Sequence, residues 1–217
     1  ISTFQVNIPT PVMGGVRTPI KQFASCVLVD VDDTLPSIFS SNSAVGYYIA
    51  QRAGIGLNLG RIRAINSKIR GGEVAHTGVV PFLKVFEATV RSCTQNGIRG
   101  GSATVHFPIW HQEIEDILVL KNNKGTDDNR VRKLDYSIQI SKIFYERLLS
   151  DDEITLFSPH DVEDMYEAFG HDNDKFDQLY LKYEADRKTP KKKIKAMDLF
   201  SALLKERAET GRIYVMN

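Results

Sequence analysis

Cysteine is scarce in this chain: 217 residues hold two, Cys26 and Cys93. Two isolated thiols make neither a dense disulfide framework nor a metal-ligand cluster, and they fit a reducing, cytoplasmic setting. An excess of one charge is also lacking. Lys and Arg number 28 against 27 Asp and Glu, a net charge of +1, which excludes a dedicated DNA-binding surface. No apolar run approaches the roughly 20 residues that span a bilayer. The opening ISTFQVNIPTPV lacks the basic-then-apolar order of a secretory signal. The five histidines, His76, His106, His111, His160 and His171, have no metal-ligand spacing, and no metal site is expected. No repeat, linker or Walker A segment is visible. What is present is ordinary globular material, 42% apolar, enough for one sizeable core.

Strand and helix patterns alternate along the chain, which argues for an α/β fold. FQVNI near residues 4–8 reads as extended, then PTP and GG interrupt it. CVLVDV (26–31) reads as a buried strand, with Asp32 and Asp33 at its carboxyl end. A helical pattern starts at Leu35, Ile38 and Phe39, and SNSAVGYYIAQRAG continues it as a further helix. GIGLNLGRIRAI returns to short extended pieces, and KIRGGEVAHTG reads as a loop. Pro81 opens a helix whose face is Phe82, Phe86, Val90 and Cys93. SATVHF, LDYSIQI, ITLF and RIYVMN read as strands. WHQEIEDILVLK is read as a short helix with Glu113, Glu115 and Asp116 on its solvated side. Ser158 is a candidate cap for the helix that begins at Pro159 and presents Val162, Met165, Tyr166 and Phe169. The segment from Thr189 to Gly211 reads as one helix, capped by Thr189, with Ile194, Met197, Phe200 and Leu204 buried and lysines 191–193 as a solvated start.

Three groups of residues carry possible chemistry. Cys26 is the redox candidate, since thiolates attack disulfides and a thiol pair can donate two electrons; a strand cysteine is equally an ordinary small hydrophobe. Cys93 completes an apolar helical face. RAGIGLNLG and GIRGG expose backbone N–H groups that suit an anion, although glycine turns are usually structural. Arg63 and Arg70 flank AINSKI and can contact a polyphosphate, while Asp33 at a strand end can accept hydrogen bonds from a ribose or base. Surface arginines without a ligand are the ordinary alternative. Tyr183 and Tyr214 read as packing residues with a polar handle.

Long segments carry a specific resemblance: PTPVMGGVRTPIKQFASCVL, QRAGIGLNLGRIRAINSKIRGGE, SCTQNGIRGGSAT, VLKNNKG, ITLFSPHDV and ERAETGRIYVMN. Over essentially the whole length the chain resembles the large, catalytic subunit of class I ribonucleoside-diphosphate reductases, in a bacterial or bacteriophage version. The resemblance implies that residues 1–217 open a ten-stranded α/β barrel, with the specificity-effector and substrate loops included and the barrel incomplete without a C-terminal part. It implies reduction of the 2′-hydroxyl of a ribonucleoside diphosphate by thiyl-radical chemistry, with Cys26 as one member of the redox cysteine pair rather than the radical carrier. Substrate contacts carry over to Thr10, Ser25, Ala53, Gly54, Gln95 and Arg99. Effector contacts carry over to Asp33, Leu35, Arg63, Ile69 and Arg70, with ATP or a deoxynucleoside triphosphate and Mg²⁺ as the ligand.

The same resemblance implies partners: the remainder of the large subunit, a second copy through the helices near 33–52 and 81–93, and thioredoxin or glutaredoxin. A small subunit would supply the radical from its own metal cofactor, with no cofactor bound directly by this chain. The thiyl cysteine, the second redox cysteine and the C-terminal thiol pair expected of such enzymes are not among these residues. The chain is therefore expected not to turn over alone, and to be a piece of a longer protein or a split-gene product. Alternatives are a triphosphate-binding dimerisation module or an inactive remnant.

Overall fold

The computed structural model describes residues 3, 5–19, 21–95 and 99–217. In chain order the elements are α1 (Thr10–Arg17), β1 (Cys26–Asp30), α2 (Leu35–Ala50), β2 (Gly54–Asn58), β3 (Lys68–Ile69), β4 (Val74–Ala75) and α3 (Val80–Ser92). They continue with β5 (Thr94–Gln95), β6 (Arg99–Gly100), β7 (Ala103–Pro108), α4 (Ile114–Leu118), β8 (Asp135–Gln139), α5 (Lys142–Leu149) and β9 (Glu153–Leu156). Last come α6 (Glu163–Ala168), α7 (Asn173–Ala185), β10 (Lys192–Lys195), α8 (Ala196–Thr210) and β11 (Ile213–Met216).

One five-stranded sheet organises the molecule, in the order β1-β2-β7-β8-β11, with every neighbouring pair parallel. Strands laid down in sequence order with crossover connections of one hand place their helices on one face and leave the other open. The register shows the two faces directly. Val27 and Val29, Ile55 and Leu57, Ala103, Val105 and Phe107, and Tyr136 and Ile138 alternate onto the helical face. All are buried or packed on the core. Each fully buried side chain of this size contributes about 1.5–3 kcal/mol, so this face holds the fold together. Cys26, Leu28 and Asp30, with Gly54, Gly56 and Asn58, then Thr104 and His106, Ser137 and Gln139, and Met216, alternate onto the open face. That face forms a trough of about 490 Å³. Leu28 on it is 85% exposed. β1 and β11 are not paired with each other, so the sheet is open rather than closed on itself.

α2 is a single helix rather than two. Thr34 caps it by accepting a hydrogen bond from the Ser37 amide at 3.2 Å, and a proline occupies the first turn, where a missing N–H costs nothing. Ile38, Ser41, Val45 and Ile49 form its buried stripe, while Leu35, Phe39, Tyr47 and Tyr48 remain exposed. It lies close on α3: a Cβ at Gly46 would sit 3.3 Å from Thr89 Cγ2 and 3.4 Å from Cys93 Sγ.

Several sequence expectations need correction. The extended reading of residues 4–8 begins on Phe4, which lies outside the described residues. Gln5 to Pro9 form no strand and lead into α1, whose first turn accepts Pro11. The segment after Thr189 is not helical at its start. Lys192–Lys195 is a strand that pairs antiparallel with β9, Ile194 opposite Ile154. The helix therefore begins at Ala196, and its buried stripe is Ala196, Leu199, Leu203 and Glu206. Met197 and Leu204 are nearly half exposed, because the expected stripe was phased from Ile194, which is not in the helix. Nor is Lys191 simply solvated: its Nζ donates to the carbonyls of Tyr183, Glu184 and Asp186, satisfying the open carboxyl end of α7. Ser158 does not cap its helix, and Glu113 is not solvated; both point into the body of the fold for reasons given below.

Candidate functional site

The residues singled out in the sequence fall at opposite ends of the parallel sheet. Cys26 opens β1 beside Gly54, which opens β2. The Gly54 amide donates to the Ser25 carbonyl at 2.7 Å, and Ser25 Oγ lies 3.9 Å from Cys26 Sγ. Ala53 is fully buried behind them, and the Ile55 amide reaches the Ser102 carbonyl at 3.2 Å. The β5–β6 hairpin enters β7 at this same end, so the backbone of Gln95 and Arg99 lies at the amino edge of the sheet with Cys26. The side chains of Thr10, Gln95 and Arg99, and residues 96–98, lie outside the described residues. Cys26 is exposed on the trough face, and Cys93 is half-buried at the end of α3; both are free thiols.

Asp33, Leu35, Arg63, Ile69 and Arg70 lie beyond the carboxyl ends of β1 and β2. A five-residue strand at about 3.3 Å per residue puts them roughly 16 Å from Cys26. The structure brings Asp33 and Arg63 together. Asp33 Oδ1 accepts the Arg63 amide at 3.1 Å, and Oδ2 accepts Arg63 Nε at 2.7 Å. Arg63 Nη1 also donates to the Lys68 carbonyl at 3.0 Å. This fixes the guanidinium against the root of the β3–β4 hairpin. The pair is largely shielded, with side-chain exposures of 17% and 14%, and His160 Nδ1 is 3.7 Å from Asp33 Oδ2. Ile69 is half-buried, and Arg70 is exposed at the hairpin tip with φ of 51°, followed by Gly71 at 69° and Gly72 at 103°. A run of left-handed backbone needs glycine after the arginine, and RGG supplies it. Leu35 is exposed in the first turn of α2.

Sequence reasoning missed the side chains that hold this end in place. His111 is completely buried; its Nδ1 accepts the Glu113 amide at 3.1 Å, which leaves Nε2–H to donate to the Ile62 carbonyl at 3.0 Å. Burial drives its pKa down to about 4, so it is neutral at physiological pH. Glu113 is 5% exposed and receives the Ile65 amide at 2.8 Å and the Val79 amide at 3.3 Å. Burial pushes its pKa up, and the two amides hold it back. Ser158 Oγ accepts the Ala64 amide at 3.1 Å and contacts Ser67 Oγ at 2.9 Å. No local pattern announces these contacts, because all but the Glu113 amide to His111 Nδ1 bond bridge segments far apart in sequence.

The trough has its own polar cluster at the carboxyl end. Asn58 Nδ2 donates to Asp30 Oδ1 at 2.7 Å and to Tyr166 Oη at 3.0 Å. Arg61 lies over the Tyr166 ring at 4.7 Å and pairs with Glu167. Farther along, His106 Nδ1 faces Met216 Sδ at 3.1 Å, and burial pushes the His106 pKa down. Among the described residues, no three His, Cys, Asp or Glu side chains gather as a metal-ligand set. No helix of the described residues is long and apolar enough to cross a membrane.

Comparison with known proteins decides the family. The model for the ribonucleotide reductase barrel domain matches residues 24–217. This chain belongs to the ribonucleotide reductase barrel family. Its open parallel sheet is accordingly part of that barrel. The alpha subunit of the ribonucleoside-diphosphate reductase of Haemophilus influenzae is 57% identical over 216 residues, which is 100% of this chain and 29% of the relative. The corresponding subunit 1 alpha of Escherichia coli is 55% identical over 217 residues, 100% of this chain and 28% of the relative. The alpha subunit of Enterobacteria phage T4 is 51% identical over 216 residues, 99% of this chain and 29% of the relative. The chain thus spans somewhat over a quarter of the length of these curated relatives.

Proposed function

We propose that this chain supplies the effector site and one side of the substrate site of a cytoplasmic ribonucleoside-diphosphate reductase, working with the rest of an alpha subunit. The observation that carries the reading is the placement of two clusters on one sheet. Cys26, Ser25, Ala53, Gly54 and the β5–β6 hairpin lie at its amino edge. Asp33, Arg63, Ile69 and Arg70 lie at its carboxyl edge. The reductive step balances with two thiols. The ribose 2′-oxygen leaves as water, a C–H bond replaces the C–O bond, and two sulfurs join as a disulfide. Cys26 is one of those thiols and gives up a proton and an electron. The second thiol comes from outside this chain, since Cys93 sits at the end of α3 rather than on the trough face. The initiating radical comes from a small subunit's metal cofactor, with no cofactor held by this chain. Thioredoxin or glutaredoxin returns the disulfide to thiols.

At the other edge, Arg63 and Arg70 face the phosphates of ATP or a deoxynucleoside triphosphate with its Mg²⁺, while Asp33 and Leu35 meet the nucleoside and Ile69 packs beside it. Thr10, Ser25, Gln95 and Arg99 contact the ribonucleoside diphosphate. The apolar residues exposed on α2, including Phe39 and Tyr47, form the contact with a second copy. The test is diphosphate reduction after mixing this chain with the polypeptide that completes the barrel, a small subunit, a triphosphate effector and a thiol reductant. Turnover that disappears in Cys26→Ser is expected. A folded complex with an active small subunit and no turnover would refute the reductase reading. Because the effector cluster is preassembled while the second thiol is elsewhere, triphosphate binding without redox change is the behaviour expected of the chain by itself.

A further inference from the structure

Four successive backbone groups at the root of the β3–β4 hairpin are held by side chains from other parts of the chain. His111 donates to the Ile62 carbonyl, Asp33 accepts the Arg63 amide, Ser158 accepts the Ala64 amide and Glu113 accepts the Ile65 amide. Backbone bonds close the excursion higher up, Asn66 N–H to the His76 carbonyl and His76 N–H to the Ser67 carbonyl, both at 2.9 Å. Where the excursion returns to α3, its last amide, that of Val79, lies 3.3 Å from each oxygen of Glu113. A single carboxylate therefore ties the outgoing root to the returning one.

The choice of residue is informative. A carboxylate that is 5% exposed loses most of its hydration, and among the described residues no Lys or Arg pairs with it. A neutral side chain would fill the space with a smaller penalty, so packing does not account for the charge. Two amide donors converging from opposite ends of a loop do, because a carboxylate accepts on both oxygens and repels neither. Gly78 completes the arrangement. Its φ is 86°, and a Cβ there would come within 2.5 Å of Glu113 Oε1, so the chain passes directly over the carboxylate.

We propose that Glu113 is a positioning residue for triphosphate binding: by joining Ile65 to Val79 it sets where Arg70 stands relative to Arg63, and so the spacing of the phosphate contacts. This rests on the effector reading given above, and the test separates the two. Mg²⁺–dTTP binding is measured by equilibrium dialysis at 10 °C on the whole chain, wild type beside Glu113→Gln, Ser158→Ala and Glu115→Gln. Gln offers one acceptor and turns an NH₂ towards an amide donor, so its dissociation constant rises about tenfold while the circular dichroism spectrum is kept. Ser158→Ala, which frees the neighbouring Ala64 amide, weakens binding in the same direction. Glu115→Gln, on the exposed side of α4, binds like wild type. A merely structural Glu113 would lower the melting temperature and leave the dissociation constant of the folded protein alone. Folded Glu113→Gln that binds within twofold of wild type overturns the proposal. If that variant does not fold, Ser158→Ala binding within twofold overturns it. A wild type that binds no dTTP brings down the effector reading instead. The clamp is then judged by amide exchange: unchanged protection of Ile65 and Val79 in Glu113→Gln overturns it.

Discussion

Gly101 is where the β5–β6 hairpin meets α2 and α3, and substituting it tests that junction. A Cβ at this position would lie 2.5 Å from the Val90 carbonyl oxygen, 2.7 Å from Ile49 Cγ2 and 3.2 Å from the Cys93 carbonyl oxygen. Two of these three atoms are backbone, so no side-chain rotation relieves the contact. Either the last turn of α3 or the base of the hairpin must move by several tenths of an ångström. Overpacking of this kind costs typically about 1–3 kcal/mol. For a chain of this size that is a melting-temperature loss of about 2–12 °C. Gly100 is the internal control. It precedes Gly101 in the same hairpin, and a Cβ there meets nothing within 4 Å. The assay is urea unfolding of Gly101→Ala and Gly100→Ala beside wild type. Gly100→Ala is expected within about 0.5 kcal/mol of wild type. If Gly101→Ala is equally stable, the close packing of hairpin, α2 and α3 is not as described, and the mechanical link between the two ends of the sheet fails with it.

Two further predictions concern the carboxyl end of the sheet. His111 is neutral in the folded chain, with a pKa near 4 against 6.5 when unfolded. Between those values the unfolded chain binds a proton that the folded chain refuses, so stability falls as pH drops from 6.5 towards 4, by about 3 kcal/mol in all. Glu113 has a raised pKa and opposes this inside the same window, down to its ordinary value of 4.5, so the His111 share is read from the difference in slope between wild type and His111→Gln. Urea midpoints taken from pH 7 to pH 4.5 should fall steeply in wild type and less in His111→Gln; parallel slopes would refute the assignment. Asp33→Asn keeps an oxygen for the Arg63 amide but removes the charge that holds Arg63 Nε, and is expected to weaken Mg²⁺–dTTP binding at least about fivefold. Equal binding by calorimetry would show that Arg63 needs no such partner.

What the sequence showed and what it hid divide along physical lines. The strands were legible, because CVLVDV is an apolar run of strand length and LDYSIQI alternates with a period of two. The burial expected of CVLVDV was not borne out, since β1 leaves Cys26, Leu28 and Asp30 exposed on the open face of the sheet. The candidate site residues were named from long motifs, and their distribution over two ends follows once β1 and β2 are parallel. Lys192–Lys195 was not legible. KKIK next to a strong helical pattern carries no signal of its own, and only its pairing with β9 makes it a strand. Glu113 was hidden for a related reason. Its neighbours Glu115 and Asp116 do lie on the more open side of α4, and only the approach of Ile65 and Val79 turns Glu113 inward. Long-range acceptors leave no periodic trace.

On the proposed function, the same geometry bears on how an effector and a substrate would communicate. α2 starts beside Asp33 and ends before Ala53; α3 starts where the Glu113-clamped loop ends and stops where the β5–β6 hairpin begins. Both helices therefore have one end in each cluster, and they pack on each other through Gly46 and Thr89. Spatial continuity alone is no proof of coupling; an element with two arrangements that both ligands bias is required. The helices are poor candidates, since their buried stripes are continuous and a shift of one would open voids beneath Ile38, Ile49 or Phe86. The hairpin is the better one. Its two strands exchange only a two-residue ladder, Thr94 with Gly100 and Gln95 with Arg99, and it is gripped at its base by Gly101. A shift of the α3 end too small to disturb the core would move the backbone of Gln95 and Arg99 with it, because that short ladder is their only strand pairing among the described residues.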